Sequence, residues 1–165
     1  MISSAASKNP AVAPTASRTH FAWPVRVYYE DTDAAGVVYY ANYLRFFERC
    51  RTEWFRDLGY GQGELAQREG VLFVVATAEI RYLQPARLDD ALVIDACISE
   101  RFATHVTFDQ VATRAGEPIC RARVKVVCVD AATLRPRRIP AAIADLLAPP
   151  ETRAPTVPTK GTPTA

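Results

Sequence analysis

The chain has 165 residues, of which 49% are apolar and 23% charged, and its formal net charge is +2. Length and composition are those of one soluble globular domain and exclude a chain that is disordered throughout. No run approaches the ~18–20 apolar residues of a membrane-spanning helix, and the N-terminal stretch lacks the apolar segment of a signal peptide. We therefore expect no membrane span and no secretion.

Charge and proline are distributed unevenly along the chain. Residues 1–20 carry +2 and residues 149–165 carry +1, which leaves −1 for the segment between them. A nucleic-acid-binding domain is expected to hold its surplus of Lys and Arg in the folded part, so the sequence disfavours a nucleic-acid partner. Seven of the 12 prolines lie in the two ends, whose composition cannot bury enough apolar surface to offset chain entropy. We predict disordered tails at 1–20 and 149–165 around one domain at 21–148.

The first half of the domain shows a strand pattern followed by a helix pattern. Apolar and polar residues alternate from Pro24 to Glu30, which predicts a strand, and the turn-forming run D-T-D-A-A-G follows it. Between Tyr40 and Leu58 apolar residues recur at three- and four-residue steps. This spacing predicts one long amphipathic helix that stops at Gly59, after which a Gly- and Gln-containing loop is expected.

The second half of the domain is rich in extended patterns. They predict four strands, at residues 71–83, 91–100, 103–113 and 118–129. A tight hairpin turn is expected at 115–118 and a short helix near 140–147. Consecutive strands with short connections pair antiparallel, and one long helix can cover one sheet face. The predicted fold class is therefore α+β, with an antiparallel sheet wrapped around one long helix.

Composition also restricts the chemistry of the domain. Residues 21–148 contain one serine, one histidine and one lysine, namely Ser99, His105 and Lys125. Ser99 lacks the flanking glycines of a nucleophilic serine, a zinc site would need more ligands, and no nucleotide-binding glycine motif is present. The four cysteines form no C-x-x-C pair and lie in apolar segments, so we expect reduced core thiols in a cytoplasmic protein. A catalytic group is thus expected to be a carboxylate assisted by backbone amides.

Acidic residues concentrate in one segment, E-D-T-D-A-A-G-V-V-Y-Y at residues 30–40. It lies between the first strand and the long helix, and the start of a helix offers unpaired N–H groups that can stabilise an oxyanion. A carboxylate just upstream can attack the polarised carbonyl or activate a water molecule. The alternative is that Asp31 and Asp33 form the turn or cap the helix and do nothing more.

The run R-V-Y-Y-E-D-T-D-A-A-G-V-V-Y-Y-A-N-Y-L-R-F-F-E-R-C-R-T-E resembles the signature of the hot-dog-fold acyl-CoA thioesterases. The similarity is to the Tol-Pal-associated, YbgC-type branch of the 4-hydroxybenzoyl-CoA thioesterase family. Y-L-Q-P-A-R-L-D-D, starting at Tyr82, and V-V-C-V-D at 126–130 resemble the same branch. The resemblance spans residues 21–148 and implies a hot-dog fold and hydrolysis of an acyl-CoA. It implies no metal, no cofactor besides the coenzyme A of the substrate, and a homodimer or homotetramer with sites at the subunit boundary.

The resemblance also implies roles for individual residues. Asp33, the second aspartate of D-x-D, corresponds to the catalytic carboxylate, acting as nucleophile or general base. The backbone N–H of Tyr40 corresponds to the donor to the thioester carbonyl. YbgC-type members commonly have histidine there, so an imidazole role is not expected in this chain. Tyr29 matches a further active-site position. Substrate-binding positions are expected at Gly36, Val37 and Tyr39.

Charged residues outside this segment have structural and functional interpretations. Arg51 falls in the apolar stripe of the helix, which predicts a structural ion pair with Glu48, one turn earlier, or with a carboxylate from the sheet. Orientation of the catalytic loop is the alternative role for Arg51. A basic row on one strand face is either a solvated surface or a contact for coenzyme A phosphates; it consists of Arg121, Arg123 and Lys125.

The function predicted from these features is that of a cytoplasmic acyl-CoA thioesterase, with a peripheral position at the inner membrane as an alternative. The second hypothesis is a non-catalytic hot-dog protein of lipid metabolism or envelope maintenance. Such a protein would bind acyl thioesters or acyl carrier protein, or would scaffold lipid-synthesis enzymes. Nothing in the sequence fixes the length of the acyl chain.

Overall fold

The computed structural model describes residues 19–147. The predicted tails lie outside the described residues, except that the first strand already begins at His20. The helices and strands in chain order are β1 (His20–Arg26), α1 (Asn42–Asp57), α2 (Gln62–Arg68), β2 (Val71–Tyr82), β3 (Ala91–Arg101), β4 (His105–Arg114), β5 (Glu117–Asp130) and α3 (Ala141–Leu146). A 3-10 turn at Tyr29–Asp31 follows β1.

The five strands form one antiparallel sheet in the order β1-β3-β4-β5-β2. The predicted antiparallel pairing of consecutive strands is confirmed for β3 with β4 and β4 with β5. It is wrong for β2, which pairs with β5 and lies at the sheet edge. The reason is that residues 83–90 form no hairpin turn. Instead Ala86, in the middle of this connection, accepts a hydrogen bond from Val38 N (2.8 Å) and donates one to the Tyr43 hydroxyl (3.2 Å).

Two predicted boundaries need correction. The strand expected from Pro24 to Glu30 ends at Arg26, because the next residues bond within a turn: Tyr28 N donates to Asp31 Oδ2 at 2.9 Å. The loop expected after α1 contains the short helix α2, whose Leu65 is buried. The predicted hairpin turn is confirmed at Ala115 and Gly116, whose φ values of 51° and 85° fit a two-residue turn of the type that suits twisted strands.

Helix α1 lies against the inner face of the sheet. Trp54 is fully buried and packs against Phe21 of β1, with ring centroids 6.1 Å apart, and against Phe108 of β4 at 5.8 Å. Phe55 of the same helix contacts Phe73 of β2 at 5.1 Å. Burial of such large aromatic side chains is the main stabilising contribution, at ~2–3 kcal/mol for each. The predicted α+β hot-dog architecture, an antiparallel sheet wrapped around one long helix, is confirmed.

Candidate active site

Asp33 lies in a tight turn between the 3-10 turn and α1. Its N–H donates to Val37 O at 2.9 Å, and its carbonyl accepts from Gly36 N at 2.9 Å. Gly36 has a φ of +70°, a conformation that is strained for residues with a Cβ atom. Ala35 N donates to Asp33 Oδ1 at 2.8 Å. The turn therefore fixes the carboxylate through Oδ1 and leaves Oδ2 without a protein partner within residues 19–147.

Asp31, two residues earlier, has a structural role. Its side chain is buried and Oδ2 accepts a hydrogen bond from Tyr28 N at 2.9 Å. Its carbonyl accepts hydrogen bonds from Tyr39 N at 2.8 Å and from Asn42 Nδ2 at 2.9 Å. The capping alternative from the sequence thus describes Asp31, which ties the 3-10 turn to the start of α1. Asp33 also stabilises a turn, but it faces a pocket.

The pocket at Asp33 has a volume of about 320 Å³. Its walls come from the segment before α1, from the first turn of α1, and from the end of β2 with the connection that follows. The lining residues besides Asp33 are Val37, Val38, Tyr40, Tyr43, Tyr82, Leu83, Gln84 and Pro85. A mostly apolar cleft with a few polar groups is the usual form of a small-molecule site. One carboxylate therefore faces a cavity suited to an acyl group.

The start of α1 provides an unpaired N–H group in this wall. The residue before the helix is Ala41, whose side chain cannot cap it. No acceptor among the described residues pairs with the N–H of Tyr40, whereas Asn42 N donates to Tyr39 O at 2.8 Å. Because C=O and N–H point in opposite directions across a trans peptide, that bond also fixes the direction of the Tyr40 N–H. The positive end of the helix dipole adds to its ability to stabilise negative charge.

Of the remaining predicted site residues, Val37 lines the pocket, whereas Tyr39 and Tyr29 do not. Val37 lines the pocket together with Asp33 and Tyr40. Tyr39 is outside the lining and packs on Tyr40, with ring centroids 4.6 Å apart. A side-chain hydrogen bond with Tyr40, and to a smaller extent the charge of Asp33, raise the pKa of Tyr39. Tyr29 is 81% exposed and does not line this pocket.

Arg51 has a different partner from the one predicted. Its Nη1 donates to Gln110 Oε1 of β4 at 2.6 Å, and Gln110 Nε2 donates to Phe47 O at 3.0 Å. Glu48, the predicted ion-pair partner, instead accepts a hydrogen bond from Thr52 Oγ1 at 2.6 Å. Burial lowers the pKa of Arg51, and the charge of Glu48 opposes this shift from a longer distance. The neutral Gln110 lies directly beneath α1, so Arg51 ties the helix to the sheet.

The cysteines are all free thiols, and their pKa values argue against a nucleophilic role. Burial raises the pKa of Cys50 and of Cys120 to about 12, and it also raises the pKa values of Cys97 and Cys128. A protonated thiol is a weak nucleophile. Over residues 19–147, no group of three or more His, Cys, Asp or Glu side chains could hold a metal ion. None of the helices there is both long and apolar enough to cross a membrane.

Sequence reasoning did not anticipate the wall formed by Tyr82, Leu83, Gln84 and Pro85. These residues are the first four of the Y-L-Q-P-A-R-L-D-D segment. The family resemblance of this segment is the sequence signal that points to them, but it implies no role for the individual residues. The basic row on β5 does not reach the pocket. Arg123 in that row pairs with Glu100 at 2.9 Å, which is a contact between strands of the sheet.

The five-stranded antiparallel sheet wrapped around one central helix defines a hot-dog fold, the fold of a class of thioesterases. Residues 27–147 match the family model of the Thioesterase-like superfamily, and the chain belongs to this family. It is similar to the acyl-CoA thioesterase YbgC of Haemophilus influenzae, with 46% identity over 120 residues, 73% of this chain and 88% of the relative. It is also 47% identical over 126 residues to the acyl-CoA thioester hydrolase YbgC of Escherichia coli, covering 76% of this chain and 93% of the relative.

A solved structure with the same fold is that of a probable thioesterase from Bartonella henselae. The TM-score is 0.71 and the sequences are 36% identical, over 73% of this chain and 99% of that chain.

Proposed function

We propose that this protein is an acyl-CoA thioesterase, which hydrolyses the thioester to a free acid and coenzyme A. One observation carries the proposal: Asp33, with a free Oδ2, and Tyr40, with an unpaired N–H, line the same mainly apolar pocket. A carboxylate and an oxyanion donor are the two groups that acyl transfer needs. The names of the two YbgC relatives support the choice of acyl-CoA as substrate.

In the proposed reaction the acyl chain lies in the pocket and the thioester oxygen accepts a hydrogen bond from the Tyr40 N–H. As negative charge develops on that oxygen, the N–H and the helix dipole stabilise it. Asp33 acts by one of two routes. Its carboxylate attacks the carbonyl carbon and expels coenzyme A thiolate, and water then hydrolyses the mixed anhydride. Alternatively, it removes a proton from a water molecule that attacks the carbonyl, and the thiolate leaves from the tetrahedral intermediate.

Either route ends with the same products, a carboxylic acid and a thiol, and consumes one water molecule. A thiolate is a good leaving group, so a strong general acid is not required at the sulfur. The pocket lining agrees with this chemistry, because it includes no histidine or cysteine among the described residues. The proposed mechanism uses no metal ion or cofactor.

Replacement of Asp33 by Asn or Ala tests the proposal. We expect kcat for thiol release from acyl-CoA to fall by about 10²–10⁴-fold, because the nucleophile or base is lost. The assay should cover short, long-chain and aromatic acyl groups. Asp145→Asn is the matched control, since Asp145 is exposed on α3 and does not line the pocket. Full activity of Asp33→Asn would exclude the proposed role of this residue.

The same acyl-CoA panel separates this proposal from the alternative of a non-catalytic protein. Measurable binding of acyl-CoA by the wild-type protein, with no thiol release from any substrate, would favour the binding protein. The cytoplasmic location, the Tol-Pal association and an acyl carrier protein partner stay predictions from the sequence.

We also propose that the protein assembles as a homodimer or homotetramer. The observation behind this is the free edge of the sheet at β2. The six consecutive residues from Val74 to Glu79 are exposed, although they belong to a strand paired with β5. Val74 and Val75 are 41% and 53% exposed. Long unprotected edges with apolar side chains favour pairing with another chain, and a second copy is always available.

A further inference from the structure

The carbonyl group of Tyr40 is held by a side chain from the sheet. The Tyr82 hydroxyl, at the end of β2, donates a hydrogen bond to Tyr40 O at 3.0 Å. Tyr40 lies just before α1, and the amide four residues later, Leu44 N, donates to Ala41 O at 3.1 Å and not to Tyr40 O. Tyr82 therefore supplies the hydrogen bond to the carbonyl of the residue whose N–H faces the substrate in the proposed mechanism.

Tyr40 is thus fixed on both sides of its Cα atom. On one side Asn42 N bonds to Tyr39 O, which fixes the peptide that carries the Tyr40 N–H. On the other side Tyr82 fixes the peptide that carries the Tyr40 carbonyl. The first bond is local to the helix start, whereas the second comes from a residue 42 positions later in the chain. Loss of the second bond would leave the orientation of Tyr40 to the helix start alone.

The ring of Tyr82 is itself held in place by two neighbours. It lies edge-on to Tyr43, with ring centroids 5.6 Å apart, and to Tyr40, at 6.5 Å. The Tyr43 hydroxyl accepts a hydrogen bond from Ala86 N at 3.2 Å, which holds the Tyr43 ring against the connection that follows β2. Burial raises the pKa of Tyr82, so its hydroxyl stays a donor throughout the neutral range.

We propose that Tyr82 is a positioning residue, which directs the Tyr40 N–H at the thioester oxygen by holding the Tyr40 carbonyl. The inference rests on the proposed thioesterase function. An oxyanion donor acts mainly in the transition state, where its angle and distance to the oxygen matter most. The hydroxyl of Tyr82 should therefore affect kcat, while its ring, as part of the pocket wall, should affect substrate binding.

Tyr82→Phe tests this inference, because it removes the hydroxyl and keeps the ring. We expect kcat to fall about 5- to 20-fold with KM changed less than about 2-fold, since one positioning hydrogen bond is lost. Tyr60→Phe is the matched control. Tyr60 follows the C-terminal end of α1, away from the pocket, and its hydroxyl has no protein partner among the described residues. This control should keep wild-type kcat and KM.

Tyr82→Leu provides a second measurement. It removes hydroxyl and ring together, so KM should rise in addition to the loss of kcat. A merely structural role for Tyr82 predicts another pattern: a lower urea midpoint with unchanged kcat per folded molecule, measured after correction by circular dichroism. Wild-type kcat in Tyr82→Phe would overturn the inference and leave the proposed function intact. No thiol release by the wild-type protein itself would instead refute the proposed function.

Discussion

Two aspartates in the D-T-D segment carry out separate tasks, and their hydrogen bonds show which is which. Asp31 is 4% exposed and its side chain accepts a backbone N–H, so its carboxylate is part of the fold. Asp33 accepts a hydrogen bond within its own turn through Oδ1, and its side chain lines the pocket. Spacing along the chain cannot distinguish the two residues, because both lie in the same turn-rich segment. Burial distinguishes them.

This difference predicts unequal losses of stability in two alanine variants. Asp31→Ala should lower the free energy of unfolding by about 1–3 kcal/mol, because the part-buried Tyr28 N–H loses the acceptor that the buried Asp31 carboxylate provides. Asp33→Ala should lower it by less than about 1 kcal/mol, since its bond to Ala35 N is exposed. Urea denaturation followed by circular dichroism measures both. Equal losses of stability in the two variants would contradict the division of roles.

At the scale of elements, the connection between β2 and β3 supplies one pocket wall and needs its own support. Asp90 Oδ2 accepts hydrogen bonds from Arg87 N at 2.8 Å and from Arg114 Nη1 at 2.7 Å. Arg114 Nη1 also donates to Pro85 O at 3.1 Å. Arg114 of β4 thus fixes both ends of the connection. Burial acts to raise the pKa of Asp90, but the hydrogen bonds from Arg87 and Arg114 outweigh it and lower the pKa.

The lowered pKa predicts a pH-dependent effect of Arg114→Met. A carboxyl group whose pKa is lower in the folded state stabilises the fold above its unfolded pKa of about 3.9, and this contribution is lost as pH falls through the folded value. The variant should therefore be less stable than wild type at pH 7, and the difference should narrow below about pH 4. Part of the difference in stability should not change with pH, because Arg114→Met also removes the hydrogen bond to Pro85 O. Urea midpoints of wild type and variant at several pH values measure the difference in stability. A difference that is constant with pH would contradict the role of Asp90.

Local patterns predicted most elements, whereas contacts between distant residues were not predictable. The apolar stripe of α1 and the alternation in β3, β4 and β5 depend on neighbours within a few residues, so periodicity finds them. The pairing of β2 with β5 depends on bonds of Ala86 to residues before and within α1, which no local pattern contains. Two further contacts are equally non-local. Gln110 lies 59 positions from its partner Arg51, and Tyr82 lies 42 positions from its partner Tyr40.

At the scale of the whole molecule, the two edges of the sheet differ. Edge strand β1 is short and contains Pro24, which has no N–H to offer, so this edge resists pairing. Edge strand β2 has 12 residues and a register shift between Val75 and Thr77. Its exposed valines lie on an edge that is longer than β1 and contains no proline. This contrast makes β2 the expected contact between copies of the chain.

Val75→Lys tests the assembly. A buried, unpaired lysine at a subunit contact is strongly unfavourable, so the variant should be a monomer under conditions where wild type is a dimer or tetramer. Val93→Lys is the control: Val93 is 41% exposed, but it lies on β3, inside the sheet. Size-exclusion chromatography with light scattering gives the mass of each. A wild-type protein that is monomeric at micromolar concentration would contradict the proposed assembly.

The burial of the thiols has a consequence for measuring the reaction. Coenzyme A released by hydrolysis carries an accessible thiol with an ordinary pKa, so an appreciable fraction is thiolate at pH 8. With a pKa of about 12, Cys50 and Cys120 have only ~10⁻⁴ of their thiol ionised at that pH. A thiol-specific chromogenic reagent can therefore distinguish the product from these groups of the enzyme. The packing that makes Cys50 and Cys120 chemically silent removes these two thiols from the background of a continuous colour assay.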